Sequence, residues 1–377
     1  MNFESLPPLS LYIHIPWCVR KCPYCDFNSH EGKIEEEAYA AALIADMVSA
    51  LPEIWGRRIA SVFFGGGTPS LMSASFIEKI LGETRALLKL APDAEVTLEA
   101  NPGTFEAGKF AAFRDAGVNR LSIGIQSFDD RHLAALGRIH DSGQAHRAVE
   151  EALRHFENVN LDLMYALPGQ TLTDAERDFS EALAYAPQHV SAYQLTIEPN
   201  TYFHKHPPVV PDEDESFEMQ AMVESSLSAY EHYETSAFAR EGRRCRHNLN
   251  YWEYGDYLGI GAGAHSKISL PDRIVRKMRI KHPRDYMDKA LSGNAIQEEH
   301  EVSPGDVPFE FMMNALRLNN GVPVSLFTER TGLPFEAVGE ALDKAKSSGF
   351  VLLERDMLKP TLKGRRFLNE LLQIFLP

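Results

Sequence analysis

The chain has 377 residues, 44% of them hydrophobic and 24% charged, enough to bury one large domain and a smaller one. Its 38 basic and 53 acidic side chains leave a net charge of −15, which argues against electrostatic wrapping of nucleic acid and against a broadly basic membrane-binding face. No apolar run is long enough to span a bilayer, and MNFESLPPLS lacks the charged and apolar regions of a signal peptide.

Taken in chain order, an apolar run over 11–15 ends at Pro16 and reads as a first strand feeding a loop. A helical pattern follows from about Glu35 to Ala50. The tract IASVFFGGGTPSL (59–71) reads as a buried strand entering a glycine turn, and 73–90 as a helix. EVTLEANPGTF (95–105) predicts strand and turn, then a helix to Ala116. A strand is expected in 119–128, helices over 129–136 and 143–155, and a strand and turn in 158–171. A helix to Tyr185 and a strand within 189–201 complete the series. Six strands separated mostly by helices call for a parallel sheet covered by helices, with the loops after the strands as the working face.

The core reads as complete by residue 205. HPPVVPDEDES (206–216) reads as a linker, Glu218 to Tyr230 as a helix and YETSAFA (233–239) as a strand. The region 206–300 is expected to be an α/β extension. Residues 301–377 read as a small, mostly helical domain in which 350–361 resembles a two-stranded wing. The acidic balance argues against a nucleic-acid role for it.

Three of the four cysteines sit together, as Cys18, Cys22 and Cys25. On a loop, unlike a strand, their thiols can converge on one centre. Soft thiolates select zinc, Cu(I) or an iron–sulfur cluster. A closed zinc site needs a fourth ligand, and ordinary ferredoxin clusters use four cysteines. A set of three therefore leaves one position for something else; the plain alternative is unrelated core cysteines. So few cysteines make a disulfide framework unattractive, and free thiolates suit the reducing cytoplasm.

The spacing CxxxCxxC after a first strand, with Tyr24 before the last cysteine, resembles the radical S-adenosylmethionine (radical SAM) superfamily. The resemblance implies an open (β/α)6 barrel; a complete eight-fold barrel is the alternative. It also implies a 4Fe–4S cluster on Cys18, Cys22 and Cys25, whose fourth iron the amino and carboxylate groups of SAM would chelate. An electron from that cluster would cleave a carbon–sulfur bond to give a deoxyadenosyl radical. In GGGTP, Gly66, Gly67 and Thr68 lack the lysine of a phosphate loop and the spacing of a dinucleotide fingerprint. Such glycines admit a ligand close to the backbone, and in the superfamily they meet the SAM amino group; otherwise they form a tight turn.

Glu99, Gln126 and Asp162 interrupt apolar strands near the same rim. A buried carboxylate is costly unless paired, and holding the amine, ribose and carboxylate of SAM would be such a role. Arg138 is a candidate partner of the SAM carboxylate, or a solvated helix end. Tyr12 and Tyr193 are candidate pocket walls, or core aromatics.

The motifs YIHIPWCVRKCPYCDF, FFGGGTPS, EANPGT, RLSIGIQSF, LGRIH, NLDLMYALPGQT and YQLTIEPNT together resemble the family of the oxygen-independent coproporphyrinogen III oxidase, over essentially the whole chain. Within that family the oxidase carries a further cysteine where this chain has Phe27, and a substantial segment before the first strand, where this chain has only ten residues before Leu11. HNLNYW (247–252) matches the HNxxYW signature of the family's haem-chaperone branch. That branch is favoured over the oxidase, with a non-enzymatic iron–sulfur protein as the distant alternative. It implies haem as cargo, respiratory haemoproteins as acceptors, peripheral contact with the inner membrane face, and compatibility with a homodimer. Candidate haem contacts are His247, Tyr251, Trp252, Cys245 and His265, with Arg240, Arg243, Arg244 and Arg246 as candidates for the propionates. Ordinary structural roles remain open for each. YLGIGAGAHS (257–266) is expected to pack its small residues closely against the barrel mouth.

Overall fold

Leu9, Leu11, Ile13 and Ile15 alternate with Ser10, Tyr12 and His14, so the first strand offers an apolar face to covering helices and a polar face to the interior. The computed structural model describes residues 1–54, 56–102 and 109–377. Six strands repeat this arrangement: β1 (Leu9–Ile15), β2 (Arg58–Gly66), β3 (Lys89–Ala100), β4 (Arg120–Gln126), β5 (Val159–Tyr165) and β6 (His189–Gln194). They lie side by side in chain order, all parallel. Helices Glu36–Ile54, Ala74–Leu87, Ser142–His155 and Leu172–Ala184 bury one face against the sheet. Local capping fixes where several begin. Ser73, Asp141 and Thr171 each accept a backbone N–H from the first turn, and Asp141 and Thr171 form capping boxes. The third strand starts at Lys89, earlier than expected, because the preceding helix stops at Leu87. Most of the turn expected at 101–105 lies outside the described residues.

The sheet does not stop at residue 205. β7 (Glu231–Glu234), β8 (Ala237–Ala239), β9 (Asp256–Ile260), β10 (His265–Ser269), β11 (Ile274–Arg279) and β12 (Ile296–Glu301) join it, giving the order β12-β11-β10-β9-β1-β2-β3-β4-β5-β6-β8-β7. β9 runs parallel to β1, and the outer strands pair antiparallel. The sheet has two free ends, so this is an open barrel rather than a closed eight-fold one. Two sequence expectations are corrected. YETSAFA is a hairpin, not one strand, because Thr235 and Ser236 make the turn between β7 and β8. The helix expected from Glu218 begins at Glu213, since Asp212 caps it, so the linker is shorter than 206–216.

Buried ion pairs pin the added strands. Asp46, from helix Glu36–Ile54, accepts hydrogen bonds from Arg279 (3.1 Å), Tyr286 (2.8 Å) and Gly261 N (3.3 Å). Asp256 is paired with Lys267 at 2.9 Å and Arg57 at 2.8 Å. Each such carboxylate is tolerated because several donors replace its water.

The C-terminal segment has its own core of Phe311, Phe327, Leu342, Leu358 and Leu371, shared with Tyr254 and, at its edge, Leu249 and Trp252. Its wing contains three short strands, because Val322–Pro323 pairs with Met357–Pro360, which pairs in turn with Val351–Glu354. It is fastened to the sheet edge by an Arg317–Glu234 ion pair at 3.3 Å and by Arg317 stacked 4.3 Å over Trp252. Among the described residues no helix is long and apolar enough to cross a membrane.

Candidate functional site

The period of two along β2 to β6 turns a second set of side chains away from the helices. Phe63, Glu99, Arg120, Ser122, Gln126, Asp162 and Tyr193 are of this set, and with the cysteine loop they enclose a cavity of about 470 Å³. The cysteine loop closes its rim. Cys18, Cys22 and Cys25 are half-buried free thiols lining this one cavity, with Tyr24 beside them. The loop is held by Cys18 N donating to His30 O (3.0 Å) and Cys25 N donating to Cys22 O (3.1 Å). Burial raises the Cys18 and Cys25 thiols above their ordinary range.

The glycine turn is stitched to that loop. Gly67 N donates to Ile15 O (2.7 Å), Thr68 N to Trp17 O (2.8 Å), and the Thr68 hydroxyl reaches Cys18 Sγ at 3.4 Å. A Cβ on Gly67 would stand 2.5 Å from Trp17 O, inside the backbone of the residue before Cys18. Gly66 has φ +111° and a Cβ there would overlap the His14 ring at 2.6 Å. Both positions therefore require glycine for close approach of the two loops.

Two acids share the cavity wall. Glu99 accepts Gly66 N at 3.2 Å, and its pKa is pushed up to about 8, first by burial and next by the charge of Asp162. Asp162 accepts from Ser122 (2.9 Å) and Asn160 (2.8 Å); burial raises it too, although these bonds pull the other way. Opposite them, Arg138 donates Nη2 to Gly124 O (2.8 Å), while its Nη1 lies 3.6 Å from Cys22 Sγ. Its buried Nε has no hydrogen-bond partner, and neither does that of Arg120. Gln126 ends β4 in the left-handed region, φ 67°, beside them. An acid that can take up an ammonium ion, a carboxylate suited to a diol and a guanidinium with a spare donor face one space. That set fits an α-amino acid joined to a ribose, next to three soft sulfur donors.

A second cavity, of about 940 Å³, adjoins the first across Phe63, Gly66, Glu99 and Asn248. Tyr12 lies on this side. So do His247, Tyr251 and Trp252, on the short helix Arg246–Trp252, and His265 at the start of β10. The helix is seated by Glu95, which accepts Arg246 N (2.9 Å) and His247 N (3.2 Å). His247 stacks on Phe63 with centroids 4.9 Å apart. Its Nδ1 bonds the Ser61 hydroxyl (3.1 Å) and its Nε2 the Tyr251 hydroxyl (2.9 Å). Burial, then Arg120, lowers its pKa to about 3. The Gly-Ala hairpin of YLGIGAGAHS meets the cysteine loop through Asn28, whose amide donates to Ala262 O (3.0 Å) and Lys281 O (2.8 Å).

Of the sequence candidates for haem contact, Cys245 is placed apart from the rest, as a silent buried thiol. It is fully buried, lines neither cavity, lies 3.6 Å from Glu95 and has its pKa pushed up to about 12 by burial. Three of the four arginines around it are also directed elsewhere. Arg244 pairs with Glu231, Arg246 with Asp93, and Arg240 stacks over Tyr230. His247, taken from sequence as a candidate iron ligand, has both ring nitrogens engaged within the chain. Cavity residues that motif reading missed include Phe63, Arg120, Ser122, Asn160 and Ser191. Their signal was present as polar or bulky residues at alternate positions of otherwise apolar strands.

Comparison with known proteins adds the family. The model of the radical SAM superfamily matches residues 12–182, and that of the HemN C-terminal domain residues 302–367. The chain is 47% identical to the heme chaperone HemW of Escherichia coli, over 99% of both chains. It is 34% identical to that of Bacillus subtilis, over 97% of this chain and 99% of the other. Coproporphyrinogen III oxidase (HemN) from Escherichia coli superposes with a TM-score of 0.81 at 23% identity, over 98% of this chain and 90% of that one. At that identity the likeness shows the fold.

Proposed function

The chain belongs to the haem chaperone HemW family of the radical SAM superfamily, and on that premise we propose that it binds haem and hands it to respiratory haemoproteins. The observation that supports this reading most is the second cavity. Its volume of about 940 Å³ and its walls of Tyr12, Phe63, Tyr251, Trp252, Tyr254 and Tyr257 suit a flat apolar macrocycle, directly beside the thiol-lined space.

The thiol-lined cavity is assigned to a 4Fe–4S cluster and SAM. Cys18, Cys22 and Cys25 would hold three irons, leaving the fourth to SAM. When bound, this pair supplies one-electron reducing power and a cleavable carbon–sulfur bond. Glu99 and the Gly66 turn would receive the amino group, Arg138 the carboxylate, and Asp162 with Gln126 the ribose hydroxyls. Tyr24 and Tyr193 would form walls. Glu99, held above its ordinary range by burial and by Asp162, would accept a hydrogen bond from the SAM amino group, whose lone pair is left for iron. Phe63, Gly66 and Glu99 are walls of both cavities, so occupancy of one can be felt in the other without a long path. Acceptance by membrane-associated targets from the cytoplasmic side, a homodimeric form and peripheral membrane contact belong to the same proposal.

The test is to reconstitute the cluster anaerobically, add SAM and reductant, and offer either haem or coproporphyrinogen III. A stable Soret band with haem and no release of carbon dioxide from coproporphyrinogen III are expected. Rapid decarboxylation would assign the chain to the oxidase reaction instead.

A further inference from the structure

Four histidines line the second cavity, and their ring nitrogens are not equally available. His14 uses Nδ1 with the Tyr12 hydroxyl (3.0 Å) and Nε2 with Asn28 O (2.8 Å). His247 uses both nitrogens, on Ser61 and Tyr251. His30 has its Nε2 3.2 Å from the Asn28 side chain and its ring edge-on to His282. His265 is exposed to the cavity mouth, and among the described residues its ring makes no hydrogen bond. Iron ligation needs a free imidazole lone pair. Breaking the His247 bonds would take its Nδ1 from the Ser61 hydroxyl, which keeps Ser10, and would uncouple the buried Tyr251 hydroxyl at a cost of about 1–3 kcal/mol. His265 has no such bonds to give up.

The other donors are disfavoured. The Tyr251 and Tyr12 hydroxyls are bonded to histidine nitrogens, and burial holds both phenols well above their ordinary range, away from the tyrosinate a metal would need. Met313, exposed on helix Val307–Ala315, is a further uncommitted donor, and a thioether is a weak one. The cations divide in the same manner. Lys267 is bound to Asp256 and Arg276 to Glu310, whereas Lys21 and Lys281 are exposed at the rim, and Lys21 donates to Phe27 O at 2.8 Å.

We propose that haem in the second cavity is ligated at iron by His265, with its propionates turned to Lys21 and Lys281, and that His247 is a positioning residue that seats Tyr251 in the cavity wall. This rests on the haem-carrying reading above and assigns its ligand. Seating at the mouth rather than the floor suits a cargo that must leave: one exposed bond to iron breaks, and no buried network is disturbed.

The test is titration of haemin into the full-length chain with its cluster reconstituted, read by Soret absorption and by electron paramagnetic resonance of the ferric iron. His265→Ala is expected to lose the histidine-ligated signature and to bind at least tenfold more weakly, with added imidazole restoring the signature. His247→Gln and Met313→Leu are expected to keep it. The proposal is overturned if His265→Ala keeps the wild-type signature, if imidazole does not restore it, or if His247→Gln or Met313→Leu abolishes it. A wild-type chain that takes up no haem would overturn the carrier reading itself, whereas haem uptake indifferent to His265 would overturn only the ligand assignment.

Discussion

At the scale of single residues, Glu99 gives the sharpest expectation. Its folded pKa, about 8, lies above the ordinary 4.5, so the folded apoprotein holds a proton that the unfolded chain releases. Its contribution to stability is therefore present below pH 4.5 and declines as pH rises to about 8. Glu99→Gln should flatten that slope in thermal melts of the apoprotein, by a few kcal/mol at most, since one unit corresponds to about 1.4 kcal/mol. SAM affinity should move the other way, rising with pH in both proteins as the amino group sheds its proton to ligate iron, and more steeply in the wild type, where Glu99 also ionises to accept from it; identical slopes in the two proteins would remove Glu99 from the amino-group site. Gly67 gives a steric counterpart. The 2.5 Å approach to Trp17 O means that Gly67→Ala must displace the loop bearing Cys18. Iron and sulfide analysis should show less than half of the wild-type cluster, and full incorporation would contradict the stitched-loop description.

Among the elements, the helix Arg246–Trp252 carries the signature that favoured the chaperone branch, yet its motif letters do not reveal its job. HNLNYW suggested a ligand and two stacking rings. The fold instead directs His247 inward to Ser61 and Phe63, and sets the helix start on Glu95, over a hundred residues earlier. No local pattern could give that pairing, because the partner lies on another strand. The arginines near Cys245 were unreadable for a similar reason: Asp93 is distant in sequence from Arg246, and Glu231 meets Arg244 only because the β7–β8 hairpin folds the chain back. What local pattern did carry was the strand–helix rhythm of β1 to β6, since each strand has its own apolar alternation and several helices their own cap. Glu95→Ala should lower the free energy of unfolding by about 1–3 kcal/mol, and with it the denaturation midpoint, through the loss of an acceptor for two helix N–H groups. The same variant should disturb the Soret band of bound haem; an unchanged midpoint would mean that other contacts hold the helix.

For the whole molecule, the two cavities lie at the junction of three regions: the parallel core, the antiparallel extension and the C-terminal unit. Met313 and Asn314 of that last unit contribute to the haem cavity, and its core shares Tyr254 with the extension. This merging was not legible from sequence, which read a break near 205 where Pro and acidic residues cluster. β7 to β12 are short, and only pairing with β6 and β1 marks them as parts of one sheet. A chain ending at Glu301 should expose Leu249, Trp252 and Tyr254, bind a hydrophobic dye and lose haem affinity; a monomer with the full-length haem titration would show that the last unit is dispensable to the cavity.

The role proposed for this chain is to carry haem in order to release it. The direct measurement is to load the reconstituted protein with haem, mix it with an apo b-type respiratory haemoprotein and follow both Soret bands. Growth of the acceptor band matched by decay of the donor band is expected, while haem that stays on the chain, or never binds it, would contradict the claim.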